Sequence, residues 1–521
     1  MSRPEVSLCL IVRDESDLLP RFLEHARGLF DELVAVDTGS RDATPRILSE
    51  AGARVIEATW TGDFAEARNV GLAAARGEWI AVLDPDELAS PRLAPEVRAL
   101  AADPLAGAAT VRMVNALPHG HVRESRLLRL WRRAPEIRFR HPIHEDASEA
   151  VFASLAQSGR RLVHLEAHLD HLGYVRDRAA ARKKKERDVG ILDRVLDLDP
   201  GDLYAHLKRL EQARFWGDGS LWARAARAAE AAIRAAPDRL KDEPLGGELA
   251  VLMADGLTKD PREALALLDG LSRLVRSSAA FHLRRGELRE RCGDAPGARA
   301  EFLKCLPLAG ATANRQLATV RPLLGLARLD LSAGEESGAL ERVEAALRLA
   351  PRDPEALFAA VALHRGRGGG AAVDAFCAEK AASGGPELWA AAGEEALRAG
   401  DLDRSRAALS RAAGDPPRGP SARMLSVAHL AAGDARAAES LAQSLAAHDP
   451  AAGLVAVLAA LALGRDSAVE LDLAPPEAEE ALGEIASLLR AGARPEVLRA
   501  LRTAAPALSG TFPWLRAALG G

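Results

Sequence analysis

The sequence predicts an α/β N-terminal domain with a mostly parallel, Rossmann-like sheet, followed by an all-α helical-repeat solenoid. Three observations lead there. Short apolar β-like runs alternate with helical segments at the start of the chain, strand-like runs then give way to Ala- and Leu-rich helices, and Gly-Asp or Gly-Glu pairs punctuate those helices. At 521 residues the chain is too long for one core, and 48% apolar with 27% charged residues is the balance of a folding, multidomain protein.

The β-like runs are VSLCLIV at 6–12, ELVAVD at 32–37, ARVIE at 53–57 and WIAVL at 79–83. Helices between them give a parallel sheet with crossover connections. Thr44-Pro45 reads as a helix cap followed by proline at the first helical position, and Gly52 as the stop of the same helix. Further strands are expected at 108–114, 125–131 and 163–169, and a connecting helix at 177–198. Beyond it, Gly293-Asp294, Gly334-Glu335, Gly400-Asp401 and Gly433-Asp434 mark turns inside helical hairpins. The last two pairs lie 33 residues apart, close to the tetratricopeptide period of about 34, and Ala298, Phe302 and Pro307 follow the first pair in the order that repeat uses. The expected division is an α/β domain at 1–178, tetratricopeptide-like repeats at 179–450 and a C-terminal helical cap at 451–521.

Several classes are disfavoured. The net charge is −5, with 69 basic against 74 acidic residues interleaved rather than clustered, so nucleic acid is not the expected partner. No run approaches the roughly 18 apolar residues of a transmembrane helix, and Arg13, Asp14 and Glu15 interrupt the N-terminal apolar run before a signal-peptide core forms. The expectation is a cytoplasmic protein without a transmembrane segment. Cys9, Cys292, Cys305 and Cys377 are scattered with no CxxC, and are read as small buried hydrophobes. The loop after the first strand lacks GxGxxG, and neither GxxxxGK[ST] nor GxSxG is present.

In a parallel α/β sheet, ligands sit beyond the carboxyl ends of the strands. Those positions here are Arg13-Asp14-Glu15, Asp37-Thr38-Gly39-Ser40 and Asp84-Pro85-Asp86-Glu87. Two carboxylates at Asp84 and Asp86, directly after a buried strand, suit a Mg²⁺ or Mn²⁺ ion that also holds a diphosphate. The plain alternative is an acidic turn and helix cap. His164 and His168 share one face of their expected strand and read as a solvated face, with His171 kept as an additional metal or diphosphate contact. Arg126 and Arg129, in a stretch rich in arginine, are two further positions to watch.

The segments VSLCLIVRDE, ELVAVDTGSRDAT and DFAEARNVGLAAARGEWIAVLDPDE, in that order, resemble the family 2 glycosyltransferases with a GT-A fold, with a weaker match through HPIHED at 141–146. More narrowly, they are similar to the bacterial branch typified by lipopolysaccharide-core glucosyltransferases and by the bacteriocin S-glycosyltransferases that carry tetratricopeptide-like helices. That resemblance implies inverting transfer from a nucleotide-diphosphate sugar, UDP first by family habit, with Mn²⁺ or Mg²⁺ joining Asp86 to the diphosphate. It implies that Asp37 contacts the nucleoside, that Arg13 and Glu15 line its pocket, that Arg68 and Asn69 lie beside the donor, and that Asp84 and Asp86 face ribose and metal. Pro85 departs from the small residue usual in that branch. A base must sit within hydrogen-bond reach of the acceptor proton; Glu145 is the first choice because related enzymes carry a similar His-Glu pair, and Asp146 the second.

Stacked helix pairs offer a continuous concave face. The helical half is therefore expected to hold a peptide, protein or glycan acceptor, with self-association into a homodimer and scaffolding as the other options. Trp216, Trp222 and Trp389 fit repeat cores as readily as binding surfaces. The rival function is a non-enzymatic tetratricopeptide-type adaptor with a decayed transferase domain, against which stand the intact Asp37, Arg68, Asn69, Asp84 and Asp86. A metal-dependent nucleotidyltransferase would want a Gly- and Lys-rich loop where this chain has Arg13-Asp14-Glu15-Ser16.

Overall fold

The computed structural model describes residues 5–116, 122–172, 178–310, 315–465 and 475–504. The chain divides into two compact units, the first running through Phe281 and the second taking the helical remainder from His282.

The first unit is built on strands β1 (Val6–Val12), β2 (Glu32–Asp37), β3 (Arg54–Glu57), β4 (Trp79–Val82), β5 (Glu87–Ala89), β6 (Ala106–Ala116), β7 (Val122–Arg132) and β8 (Arg161–His171). Helices α1 (Leu19–His25), α2 (Thr44–Glu50), α3 (Phe64–Ala74), α4 (Leu93–Ala102) and α5 (Ser148–Ser158) connect them. The sheet order is β3-β2-β1-β4-β7-β6-β8-β5. The pairs β3–β2, β2–β1, β1–β4 and β6–β8 are parallel, whereas β4–β7, β7–β6 and β8–β5 are antiparallel. The sheet is mixed because its second half is built by the hairpin of β6 and β7.

β1 is buried on both faces, which explains its unbroken apolar run. Val6, Leu8, Leu10 and Val12 pack with Phe22, Leu93 and Val97 on one side. Cys9 on the other side shares a core with Val34, Ile80, Trp131 and Val151. From β1 the chain moves outward to β2 and β3 and returns to β4 on the opposite side of β1. The ends of β1 and β4 therefore open the crevice at the point where strand order reverses.

Two local expectations are corrected. Thr44 does not cap its own helix: Ala43 is the N-cap residue, and the Thr44 hydroxyl accepts the Glu15 amide at 2.7 Å. The loop after β1 had the greater need for an acceptor, since Asp42 already accepts the Thr44 amide at 2.9 Å. The second correction is β5, a three-residue strand hidden in what reads as an acidic loop; its ladder partner β8 lies far along the chain.

Among the described residues the first unit continues with helices α6 (Arg178–Leu198), α7 (Leu203–Phe215), α8 (Gly219–Ala235), α9 (Arg239–Asp242), α10 (Gly246–Leu257) and α11 (Pro261–Leu271). Leu203, Leu207, Leu210, Ala226, Ile233, Leu249 and Met253 form their core. In the second unit each Gly-Asp pair seen in the sequence is a tight interhelical turn. Gly293, Gly400 and Gly433 have φ of 82°, 74° and 84°, and Asp294, Asp401 and Asp434 cap the following helices through the amides of Gly297, Arg404 and Ala437. The long helical stretch Pro354–Arg398 is interrupted at Gly368-Gly369 and at Gly385, where the backbone leaves helical geometry. Cys9, Cys305 and Cys377 are buried as expected, but Cys292 is half-buried. Positions 466–474 and 505–521 of the expected cap lie outside the described residues.

Phe302 shows why the repeat needs its small residues. It is fully buried, and a Cβ added at Gly286 or Gly325 would lie 2.5 or 2.6 Å from its ring. Gly286→Ala is expected to lower unfolding stability by about 1–3 kcal/mol through overpacking. Gly270→Ala, at a helical site with open space around the added methyl, is expected to raise it by roughly 0.5–1 kcal/mol. Urea unfolding followed by circular dichroism compares the two.

Candidate active site

The loops after β1 and β2 brace each other. Asp14, at φ 55°, donates its amide to Ser40 Oγ at 3.0 Å and accepts the Arg41 amide at 2.7 Å. Asp37 is buried, and its Oδ1 receives the amides of Gly39 and Ser40 and the Ser40 hydroxyl at 3.1, 2.9 and 2.8 Å. One oxygen of Asp37 is thus committed to its own turn. Arg13 is exposed and Glu15 half-buried at the rim of the same strand ends.

Helix α3 begins at Asp63, whose carboxylate caps the Glu66 amide at 2.9 Å. One turn later it carries Arg68 and Asn69. Asn69 is a backbone clamp: its Nδ2 donates to Phe139 O and its Oδ1 accepts Phe139 N–H, both at 2.9 Å. Arg68 is only 8% exposed. Its Nε donates to Glu145 Oε1 at 2.6 Å and its Nη2 to Asp84 Oδ1 at 2.8 Å, while the ring of Phe139 lies 5.4 Å from the guanidinium. Burial opposes the Arg68 charge, but the carboxylates of Asp84 and Glu145 outweigh it and hold the guanidinium protonated above its usual range. Its Nη1 is buried with no hydrogen-bond partner among the described residues.

Beyond β4 the chain enters the acidic segment. Asp84 is held below the usual carboxylate range, because Arg68 and then Arg129 overcome the burial that would raise it. Glu87, on β5, is 2% exposed; it pairs with Arg129 and accepts the Asp84 amide at 3.2 Å. Burial, with the charges of Asp84 and Asp86 added, pushes its carboxyl up to about 7 against the pull of Arg129. The β5–β8 ladder sets Glu87 opposite His171, and His171 Nε2 lies 3.3 Å from Asp86 Oδ2. Burial opposes the charge of His171, and the Asp86 carboxylate overcomes it, raising the imidazole.

The fourth element is the 140–146 loop. A two-way bridge between Arg140 and Asp146 closes it, and His141 and His144 have positive φ, 69° and 54°. Each such residue costs about 1–2 kcal/mol in local conformation, so surrounding contacts must hold the loop. Asp146 accepts the amide and hydroxyl of Ser148 at 3.1 and 2.7 Å and stabilises the start of α5. Glu145 turns inward to Arg68, with no hydrogen bond to its Oε2 among the described residues.

The structure thus gathers Arg68, Asp84, Asp86, Glu145 and His171 and leaves Asp146 on the outer, exposed side of its loop. Of the two arginines to watch, Arg129 belongs to this cluster. Arg126 instead donates to Leu165 O at 2.8 Å on the sheet face, which it shares with the exposed His164. Glu87, named in the sequence only as part of the acidic segment, and Phe139, not named there at all, join the cluster. Glu87 directly follows Asp86, so its place in the acidic segment is its sequence signal; Phe139 has none, because its position depends on the long-range Asn69 clamp.

For a divalent cation, Asp86 and His171 offer one carboxylate oxygen and one imidazole nitrogen side by side. This set fits an ion that takes its remaining ligands from phosphate and water. Among the described residues no group of three or more His, Cys, Asp or Glu side chains could hold a metal ion by itself. Among them, too, no helix is long and apolar enough to cross a membrane.

Residues 7–166 match the family model of Glycosyl transferase family 2. A TPR repeat-containing protein of Synechococcus elongatus is 43% identical over 202 residues, 38% of this chain and 50% of the relative. The succinoglycan biosynthesis protein ExoO of Rhizobium meliloti is 36% identical over 94 residues, 17% of this chain and 27% of that protein. The chain thus spans about half the length of the first relative and about a quarter of the second. Among solved structures, S. aureus TarS 1–349 aligns at 15% identity over 59% of this chain and 92% of that chain, with a TM-score of 0.28.

Removing the buried cation tests the site's electrostatics. Arg68→Met leaves Asp84 and Glu145 facing each other without it and is expected to cost about 3–5 kcal/mol of stability in urea unfolding. Arg68→Lys, which cannot span both carboxylates with a planar fork, should fall between it and the wild type.

Proposed function

We propose that this chain, whose N-terminal part is a family 2 glycosyl transferase domain followed by tetratricopeptide-like helices, is a glycosyltransferase. It moves a sugar, with inversion, from a nucleotide-diphosphate donor to a peptide, protein or glycan acceptor, in the cytoplasm. The observation that carries this reading is Arg68 joining Asp84 and Glu145 across the mouth of the sheet, within the segment that matches the family.

The chemistry divides among these side chains. Asp37, Arg13 and Glu15 border the nucleoside pocket at the ends of β1 and β2. Asp84, ionised beside Arg68 and Arg129, accepts hydrogen bonds from a ribose hydroxyl. Asp86 and His171 would hold Mn²⁺ or Mg²⁺, which when bound offsets the negative charge that gathers on the departing diphosphate. Glu145 is anchored through Oε1, so Oε2 is the oxygen that takes the acceptor proton. As that proton leaves, the acceptor atom bonds to the anomeric carbon, the bond from that carbon to the diphosphate oxygen breaks, and its electron pair departs with the nucleoside diphosphate. UDP is the first nucleotide to test.

Calorimetric titration with UDP, GDP, dTDP and their sugars, with and without Mn²⁺, tests the donor site. Metal-dependent binding of one nucleotide series, lost in Asp86→Ala, is the expected result. No binding by folded wild-type protein would favour the adaptor reading. Glu145→Gln is expected to lower turnover by a factor on the order of 10²–10⁴ while leaving donor affinity unchanged; unchanged turnover would move the base elsewhere.

A further inference from the structure

Helix α7 stands against the loop that carries Glu145. Its positions 204, 208 and 212 are one and two turns apart and so share a face. From that face Tyr204 stacks on the ring of His141, centroids 3.7 Å apart and planes inclined by 16°. Its hydroxyl donates to the His144 carbonyl oxygen at 2.7 Å. That carbonyl belongs to the peptide unit whose nitrogen is Glu145, so the bond fixes the plane from which the Glu145 side chain departs. Burial raises the Tyr204 hydroxyl above its ordinary range, which keeps it a donor.

Two turns on, Gln212 meets the His144 ring, Nε2 to Nε2, at 3.1 Å. Trp216 Nε1–H donates to Gln212 Oε1 at 2.8 Å, and this settles which end of the amide faces the ring. The Gln212 NH₂ is the donor, so His144 Nε2 is the acceptor and the imidazole is neutral, with its proton on Nδ1. Between the two histidines, Ile143 is buried in a cluster with Ile191, Leu192, Leu196 and Ala205 from α6 and α7. On the opposite flank Phe64 N–H donates to Pro142 O at 2.8 Å, tying the loop to the start of α3.

We infer that Tyr204 and Gln212 are positioning residues for the base. Helix α7, the second helix after the α/β domain, serves the reaction by fixing the left-handed 140–146 loop that presents Glu145 to Arg68, rather than by receiving the acceptor on this face. The inference rests on Glu145 being the base of the proposed transfer. Loop anchoring and turnover are separate observables, so the two ideas can fail separately.

The experiment uses the full chain with Tyr204→Phe, Tyr204→Ala and Gln212→Leu. Three quantities are read: hydrogen–deuterium exchange over 139–147 and over α1 and α4, release of nucleoside diphosphate from the donor bound in the calorimetric panel with water as acceptor, and the donor dissociation constant. Tyr204→Phe keeps the stacking and loses one hydrogen bond; kcat is expected to fall on the order of tenfold. Tyr204→Ala loses both, and kcat is expected to fall about a hundredfold. Donor dissociation constants should stay within about twofold of wild type, since the hydroxyl acts on the base and not on the nucleotide. Exchange should rise across 141–146, least in Tyr204→Phe, and stay as in wild type over α1 and α4. Unchanged exchange in all three variants would overturn the anchoring. Raised exchange with unchanged kcat would overturn the positioning role. Wild-type protein that binds no nucleotide of the panel, with exchange still raised in the variants, would sink the transferase reading and leave the anchoring standing.

Discussion

The site depends on one buried guanidinium. Arg68 reaches from α3 to Asp84 behind β4 and to Glu145 in the 140–146 loop, segments that no short-range interaction would bring together. Taking an arginine out of water is expensive unless its charge is matched and its donors are used. Two carboxylates meet the first need. Two N–H contacts and the face of Phe139 meet most of the second. Nη1, buried and without a hydrogen-bond partner among the described residues, is the remainder.

Around that ion, structure and proposed chemistry share the same residues. Asn69, next to Arg68, clamps the Phe139 backbone and so sets the entry to the 140–146 loop. The loop's cost, two positive-φ histidines, is offset by the Arg140–Asp146 bridge, by burial of Ile143 and by the α7 contacts. Strain held at a site by such surrounding contacts is a means of presenting one side chain in one orientation. Glu87 plays the corresponding part on the other side of Asp84: buried and paired with Arg129, it fixes the turn from which Asp84 and Asp86 project.

Much of this was legible in the sequence. The first four strands, the carboxyl-end positions and the Gly-Asp turns announce themselves through local patterns of period, cap and turn, and the structure forms them within a residue or two. What escaped was long-range. β5 is three residues long and exists because β8 pairs with it, so no local pattern marks it; yet that pairing is what carries His171 to Asp86. Thr44 looks like a cap for its own helix because the sequence shows the helix beside it and not the Glu15 amide across the crevice. Tyr204 and Gln212 lie in an ordinary amphipathic helix, where nothing distinguishes a residue that packs from one that holds a loop many residues upstream.

The central claim is that Asp86 and His171, brought together by the β5–β8 ladder, are the protein's share of a cation site facing a nucleotide diphosphate. Its most direct test is a crystal structure of the protein grown with UDP and Mn²⁺, with anomalous scattering collected for manganese. The account predicts one strong anomalous peak within bonding distance of Asp86 and His171, with diphosphate oxygens completing the shell and the uracil lying toward Asp37. Nucleotide bound in another place, or manganese bound with neither of these side chains as a ligand, would contradict it.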